Sequence, residues 1–237
     1  VLNSFDMAWT HGRVVMISVF GRTTDWVAAG AGAYGDADMI VPGEKETNLE
    51  DIYEKVQEVY FENEKKHGKP HAVMVIAEGA AIDGIKSHVK TSEVHTDEFG
   101  HPKFEPNVLV STLSDAIRSI SNEELGEPIK TAPMSLTYQL RNGRPLKIDE
   151  ELGFRCGQKC VKLLGDGAAG KMASIEKDGE KLKVGKTDLS EGVEISRVSD
   201  TDYINYENME VTESFLDYAR PFLDEKPSRK VRLLKRS

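Results

Sequence analysis

This chain of 237 residues has only two cysteines, Cys156 and Cys160. Two thiols cannot build a disulfide scaffold, and a bridge between positions four apart on one helix is sterically poor. Reduced thiols in or near the core are expected, which fits a cytoplasmic location. No apolar run reaches membrane-spanning length, and no secretory leader pattern is visible, so no membrane partner is expected. Basic charge is also scarce: 31 Lys and Arg against 40 Asp and Glu leave a formal charge of −9. Nucleic-acid binding demands the opposite balance. A phosphorylated small molecule remains possible, because it needs only a local cluster of donors. Metal-ligand spacing is missing too. His95, Asp97 and His101 lie close in sequence but match no known ligand set, so no metal site is assigned. There is no internal repeat. The chain starts at Val1, without a methionine, and reaches its first strand at Arg13, as if cut from a longer protein.

What the chain does have is a series of short apolar runs: Arg13–Phe20, Met39–Val41, Ala72–Ala77, Met134–Tyr138 and Met172–Ile175. Near-continuous hydrophobic segments ended by turn residues are the pattern of buried parallel strands. Helical patterns alternate with them. Trp26–Tyr34 is rich in alanine. Leu49–Lys66 follows a capping Asn48 and carries Leu49, Ile52, Val56 and Val59 on one face. Val108–Ile120 comes next, and Asp149–Leu164 places Leu152, Cys156, Cys160 and Leu163 at helical spacing. This alternation predicts an α/β fold, a three-layer parallel sheet with helices on both faces. Residues 87–106 break it as an inserted polar loop, and residues 226–237 read as a basic, solvated tail. The whole of residues 1–237 is expected to form a single region.

In such sheets ligands collect beyond the carboxyl ends of the strands. Arg22, in Phe20-Gly21-Arg22, stands at one such end, and its planar fork of donors suits a phosphate. Glu78 and Gly79 end another strand, where a carboxylate can accept bonds from sugar hydroxyls. Thr137 to Pro145 ends a third and carries Arg141 and Arg144. Each also admits the plainer reading of a charge leaving a strand into water. Two glycine patterns invite a nucleotide assignment, Gly30–Gly35 and Gly165–Lys171. A phosphate cradle requires a loop leading into a helix N-terminus, whereas each of these follows a helix and precedes a strand. A helix C-cap accounts for both.

In this order the segments resemble the second half of the phosphofructokinase family. Thr10-His11-Gly12-Arg13 followed by Phe20-Gly21-Arg22 is similar to its S-H-x-R…M-G-R. Ile40 to Glu44 resembles its next strand and P-E, and Ala77-Glu78-Gly79 its A/T-E-G. Asp97 to Pro102 is similar to a D-x-F-G-H stretch. Tyr138, Arg141, Gly143 and Pro145, with Asp149, resemble its G-H-x-Q-R-G-G-x-P…D. The resemblance covers about residues 10 to 175 and implies a phosphofructokinase-like lobe.

The resemblance also implies an activity and a site. Family members transfer a phosphoryl group from ATP or pyrophosphate to the 1-hydroxyl of fructose 6-phosphate, a glycolytic reaction that uses Mg2+. Arg22 would offset charge on the transferring phosphoryl, and Phe20 and Gly21 would line the pocket with it. Glu78 would hold sugar hydroxyls, while Tyr138 and Arg141 would grip the sugar phosphate. Arg13 would reach a neighbouring subunit's ligand, implying a homo-oligomer. Tyr138 replaces the usual histidine, as in the pyrophosphate-using branch. Ala132 stands where a second cross-subunit arginine is expected, with Lys130 close by. The family's glycine-rich donor loop, its magnesium ligands and its T-x-D-N-D base are not in this sequence. The chain alone is therefore expected to be inactive, with residues 142–175 packing on the absent half and leaving an apolar face of the 149–164 helix uncovered. Two other readings stay open: a non-catalytic sugar-phosphate-binding subunit of the same fold, and an unrelated nucleotide-binding α/β protein using Gly165–Lys171.

Overall fold

The computed structural model describes residues 1–88, 95–96, 102–103, 106–137, 139, 142–179, 181–193 and 196–223. Helix α1 (Leu2–His11) turns through Gly12 into strand β1 (Val14–Val19). Next come α2 (Trp26–Gly35), β2 (Met39–Val41), α3 (Leu49–His67) and β3 (Ala72–Ala77). They are followed by α4 (Pro106–Leu125), β4 (Thr131–Leu136) and α5 (Lys147–Gly165). A hairpin of β5 (Lys171–Asp178) and β6 (Lys181–Asp188) precedes α6 (Glu213–Ala219). No helix among the described residues is long and apolar enough to cross a membrane.

Strands β2, β3, β1 and β4, in that order, form a parallel sheet. Every residue of β1 and β3 is buried. Their side chains alternate between two cores, as the pleat requires. Met16, Met74 and Ile76 pack with Ile52 and Val56 of α3 and Leu113 and Ile117 of α4. On the opposite face, Ile17, Val73 and Val75 pack with Phe5 of α1, Ala28 and Ala29 of α2 and Phe215 of α6. These are the three layers that the alternation predicts. Close helix–sheet contact accounts for Gly32 of α2. A Cβ on Gly32 would lie 2.6 Å from Cγ2 of Ile40. β4 is an edge strand and carries the exposed Pro133, which lacks a ladder donor and is tolerated only there.

Local signals set the ends of α3. The Asn48 side chain accepts a bond from the Glu50 amide at 2.8 Å, Glu50 and Asp51 occupy the first turn, and Lys65, Lys66 and His67 the last. Charges so placed complement the helix dipole, and Gly68 closes the helix with φ 73°.

Several expectations need correction. The fourth strand begins at Thr131 and ends at Leu136, not Met134–Tyr138, because pairing with β1 starts at Val14 opposite Thr131. Met172–Ile175 is not part of the parallel sheet. It lies in β5, which pairs antiparallel with β6 from Lys171–Asp188 to Asp178–Lys181. Gly30–Gly35 lies inside α2, and the left-handed cap belongs to Asp36. Cys156 and Cys160 are free, as expected, but Cys160 is exposed rather than near-core. Helix α5 buries only Leu152 and Leu163, and packs against the hairpin. Its uncovered apolar residues, Phe154, Val161 and Leu164, are 68%, 71% and 80% exposed and differ from those that the spacing singled out. Most of the 87–106 insertion, including Asp97 and His101, and all of the 226–237 tail lie outside the described residues.

Packing at the sheet centre should dominate stability. Ile76→Ala is expected to lower the unfolding free energy by about 2–5 kcal/mol. Val161→Ala, on the uncovered face of α5, should change it by less than about 0.5 kcal/mol. Urea unfolding followed by circular dichroism tests both.

Candidate functional site

Because β1 and β3 are buried on both faces, their polar neighbours lie at the strand ends. The register makes three ends level: Val19 lies beside Ala77 of β3 and Leu136 of β4. The residues after these strands therefore meet along one edge of the sheet. The Glu78 amide donates to the Val19 carbonyl at 2.9 Å, and the Gly79 amide to the Gly21 carbonyl at 3.0 Å. These bonds join the two loops. They also bring Nε of Arg22 to 3.5 Å from Oε1 of Glu78. The Glu78 side chain is 8% exposed and that of Arg22 68%, so a largely buried acid is matched by a cation that reaches into solvent. Gly79 allows this approach. A Cβ there would lie 2.2 Å from the Arg22 carbonyl oxygen.

The structure thus brings together Phe20, Gly21, Arg22 and Glu78. Tyr138 and Arg141 lie outside the described residues. Arg13 is at the other end of β1, separated from Phe20 by about 20 Å of extended chain. One chain therefore cannot direct Arg13 and Arg22 to the same small ligand. The Nε of Arg13 is buried without a hydrogen-bond partner. Lys130, just before β4, lies beside Arg13 in register, and its carbonyl accepts from the Val14 amide at 2.8 Å. The Gly165–Lys171 loop runs from α5 into β5, and Lys171 pairs with Asp188 at 2.6 Å. It has no helix N-terminus to offer a phosphate.

Sequence reasoning missed the polar network beneath the site. Asp25, fully buried, does not cap α2 with its side chain. Its carboxylate accepts instead from the Gly43 amide at 2.6 Å, the Glu44 amide at 3.2 Å and the Tyr206 hydroxyl at 3.2 Å. Glu44 reciprocates. Its Oε1 accepts from the amides of Asp25 (2.8 Å) and Val198 (2.9 Å), and Oε2 from that of Ser199 (2.7 Å). Burial pushes the Asp25 carboxyl above its ordinary value, against the hydrogen bonds from Gly43 and Glu44. Burial also works to raise Glu44, but its bonds to Ser199, Val198 and Asp25 outweigh it and hold the group below its ordinary value. Burial, with the nearby Asp25 and Glu44 charges, raises the Tyr206 phenol. The only sequence signal for this network was Glu44 within the Pro42–Glu44 turn.

Two outcomes follow from this geometry. Gly79→Ala should displace the Arg22 main chain and cost about 1–3 kcal/mol, as overpacking does, measurable by urea unfolding. The two carboxylates should also give opposite pH slopes. The contribution of Glu44, with its lowered pKa, is complete above the ordinary value of 4.5 and is lost as pH falls below it. That of Asp25, with its raised pKa, favours the folded state at low pH and fades as pH rises from 3.8. The stability advantage of wild type over Glu44→Gln should therefore shrink on acidification, whereas its standing relative to Asp25→Asn should improve.

Comparison with known proteins agrees with the geometry. Residues 3–164 match the family model described as phosphofructokinase. The pyrophosphate–fructose 6-phosphate 1-phosphotransferase of Dictyoglomus thermophilum is 31% identical over 171 residues, covering 72% of this chain and 45% of that enzyme. The ATP-dependent 6-phosphofructokinase 3 of Bacteroides thetaiotaomicron is 28% identical, again over 72% of this chain but 41% of its own length. The chain thus spans less than half the length of these curated relatives. The solved structure of a pyrophosphate-dependent phosphofructokinase from Nitrosospira multiformis superposes with a TM-score of 0.67 at 23% identity, over 95% of this chain and 52% of that one. That likeness is one of fold. The family match covers the sheet, its level strand ends and the Arg22–Glu78 pair, and on this ground the chain belongs to the phosphofructokinase family.

Proposed function

We propose that this chain is the fructose 6-phosphate-binding part of a phosphofructokinase that transfers a phosphoryl group from ATP or pyrophosphate to the sugar's 1-hydroxyl. The observation that carries this reading is the Arg22–Glu78 pair, joined across the carboxyl ends of two adjacent parallel strands. A largely buried carboxylate can accept from sugar hydroxyls and hold them in place. The exposed guanidinium beside it can meet a phosphoryl group bidentately. Phosphoryl transfer is catalysed chiefly by positioning and by cations that offset charge on the equatorial oxygens. In this scheme Arg22 supplies that charge, Glu78 orients the acceptor sugar, and Phe20 and Gly21 form the adjoining wall. Tyr138 and Arg141 are assigned to the sugar phosphate. Arg13, at the far end of β1, serves the ligand of a second copy, which makes the working enzyme a homo-oligomer.

The remaining chemistry is assigned to the rest of the enzyme. Among the described residues no three His, Cys, Asp or Glu side chains converge to hold a metal ion. The described residues therefore do not fit a Mg2+ site. Pyrophosphate- and ATP-dependent enzymes both occur among the relatives, so the donor stays open between the two. Under the same reading residues 142–175 pack on the remaining half, and the exposed Phe154, Val161 and Leu164 supply the apolar contact.

Calorimetric titration of this chain with fructose 6-phosphate tests the assignment. Glu78→Gln should weaken binding by about ten- to a hundredfold, the loss of a hydrogen bond to a charged group, whereas Arg22→Met, whose partner phosphoryl comes from the donor, should weaken it less. Wild-type affinity in Glu78→Gln would overturn it. The chain alone should transfer no phosphoryl group from either donor.

A further inference from the structure

The family match ends at residue 164, yet the partners of Asp25 and Glu44 include residues 198, 199 and 206. We infer that residues 196–206 form a clasp that holds the loop carrying Arg22 in place, with Asp25 and Glu44 as positioning residues. This rests on the proposed function only where ligand binding is concerned.

Arg22 lies on a short loop between β1 and α2, and two contacts fix that loop. On one side Gly79 donates to Gly21 and packs against the Arg22 main chain. On the other side, Asp25 is tied to the Gly43–Glu44 turn after β2 by two bonds in one direction and one in the other. The turn in turn needs something to hold it. Glu44 spends two of its three acceptances on Val198 and Ser199, the start of a short 3₁₀ turn. A carboxylate there satisfies amides that have no partner within their own turn.

Further contacts seat the same segment. Tyr206 donates to Asp25 and lies under Lys45, whose Nζ is 4.3 Å from the ring centroid. The Trp26 indole, one residue after Asp25, donates to the Ser196 carbonyl at 2.8 Å and packs edge-on against Tyr203. Just past the segment, the Ile40 amide of β2 donates to the Met209 carbonyl at 2.8 Å. Val198 and Ile204 are buried in the core shared with β1 and α2. The segment is thus docked on both loops that flank the site. Neither Asp25 nor Glu44 is needed as a ligand contact, because each has its acceptors occupied by protein donors.

Amide hydrogen exchange of the intact chain, with and without fructose 6-phosphate, tests this. Glu44→Gln should accelerate exchange about tenfold or more at Val198 and Ser199, and also at Gly79, whose amide bonds Gly21 on the far side of the Arg22 loop. Tyr206→Phe, which removes one hydroxyl from Asp25 and keeps the ring, should accelerate Gly79 in the same direction, and decides the matter if Glu44→Gln does not fold. Val75, mid-strand in β3, should keep its protection in both. Ser214→Ala, which alters a bond to Asp202 in the same C-terminal region, should leave Gly79 unchanged. The clasp is overturned if Val198 and Ser199 open while Gly79 stays protected. It is equally overturned if all amides, Val75 included, accelerate together, since that marks general destabilisation. Sugar-phosphate affinity should fall in step with Gly79 protection. If wild type binds no fructose 6-phosphate, the functional assignment fails, and the exchange pattern still decides the clasp.

Discussion

Burial of β1 and β3 on both faces is the constraint from which the rest of the molecule follows. Two strands sealed between helices leave no room for chemistry on the sheet surface. In β1 the only polar side chain is Ser18, whose hydroxyl is buried without a partner. Reactive groups are therefore confined to the strand ends, where backbone pairing sets their spacing to within a hydrogen bond. Parallel pairing makes the ends coincide, and the result is a carboxylate and a guanidinium 3.5 Å apart on loops that share no sequence neighbourhood.

Around that edge the polar groups divide into two kinds. Arg22 faces solvent with spare donors, so it can still bind. Asp25 and Glu44 are filled by amides and a phenol, so they can only hold. The division matches burial. Solvent at Arg22 makes exchange of partners cheap, whereas an unfilled acceptor at the buried Asp25 would carry a desolvation penalty. A site of this kind combines a small exposed ligand surface with a rigid polar footing.

Much of this was legible in the sequence. Apolar runs located β1, β2 and β3 almost to the residue, because a strand buried on both sides shows no alternation to confuse the reading. Asn48 marked the start of α3 for the same reason that it caps it. Arg22 and Glu78 were visible as strand-end charges, but their pairing depends on β1 lying beside β3, which no local pattern encodes. The bond from Tyr206 to Asp25 spans 181 positions, a pairing that no local pattern around Asp25 encodes. Helix α5 misled in a different way. A two-stranded ribbon covers a narrower strip than a full sheet, so Leu152 and Leu163 are buried while Cys160, on the same expected face, is not.

The distance from Arg13 to Arg22 is set by a strand that cannot change length freely. One residue added within β1 would turn every later side chain to the opposite face, sending Met16 and Ile17 into each other's cores. Two residues would restore the faces but move the ends of β1 and β3 out of level by about 7 Å, beyond the reach of the Glu78–Val19 bond. Insertions and deletions are thus closed to this segment during divergence. The two arginines must drift, if at all, by substitution at fixed separation, and the gap between them serves as a ruler inherited intact by any descendant that keeps the fold.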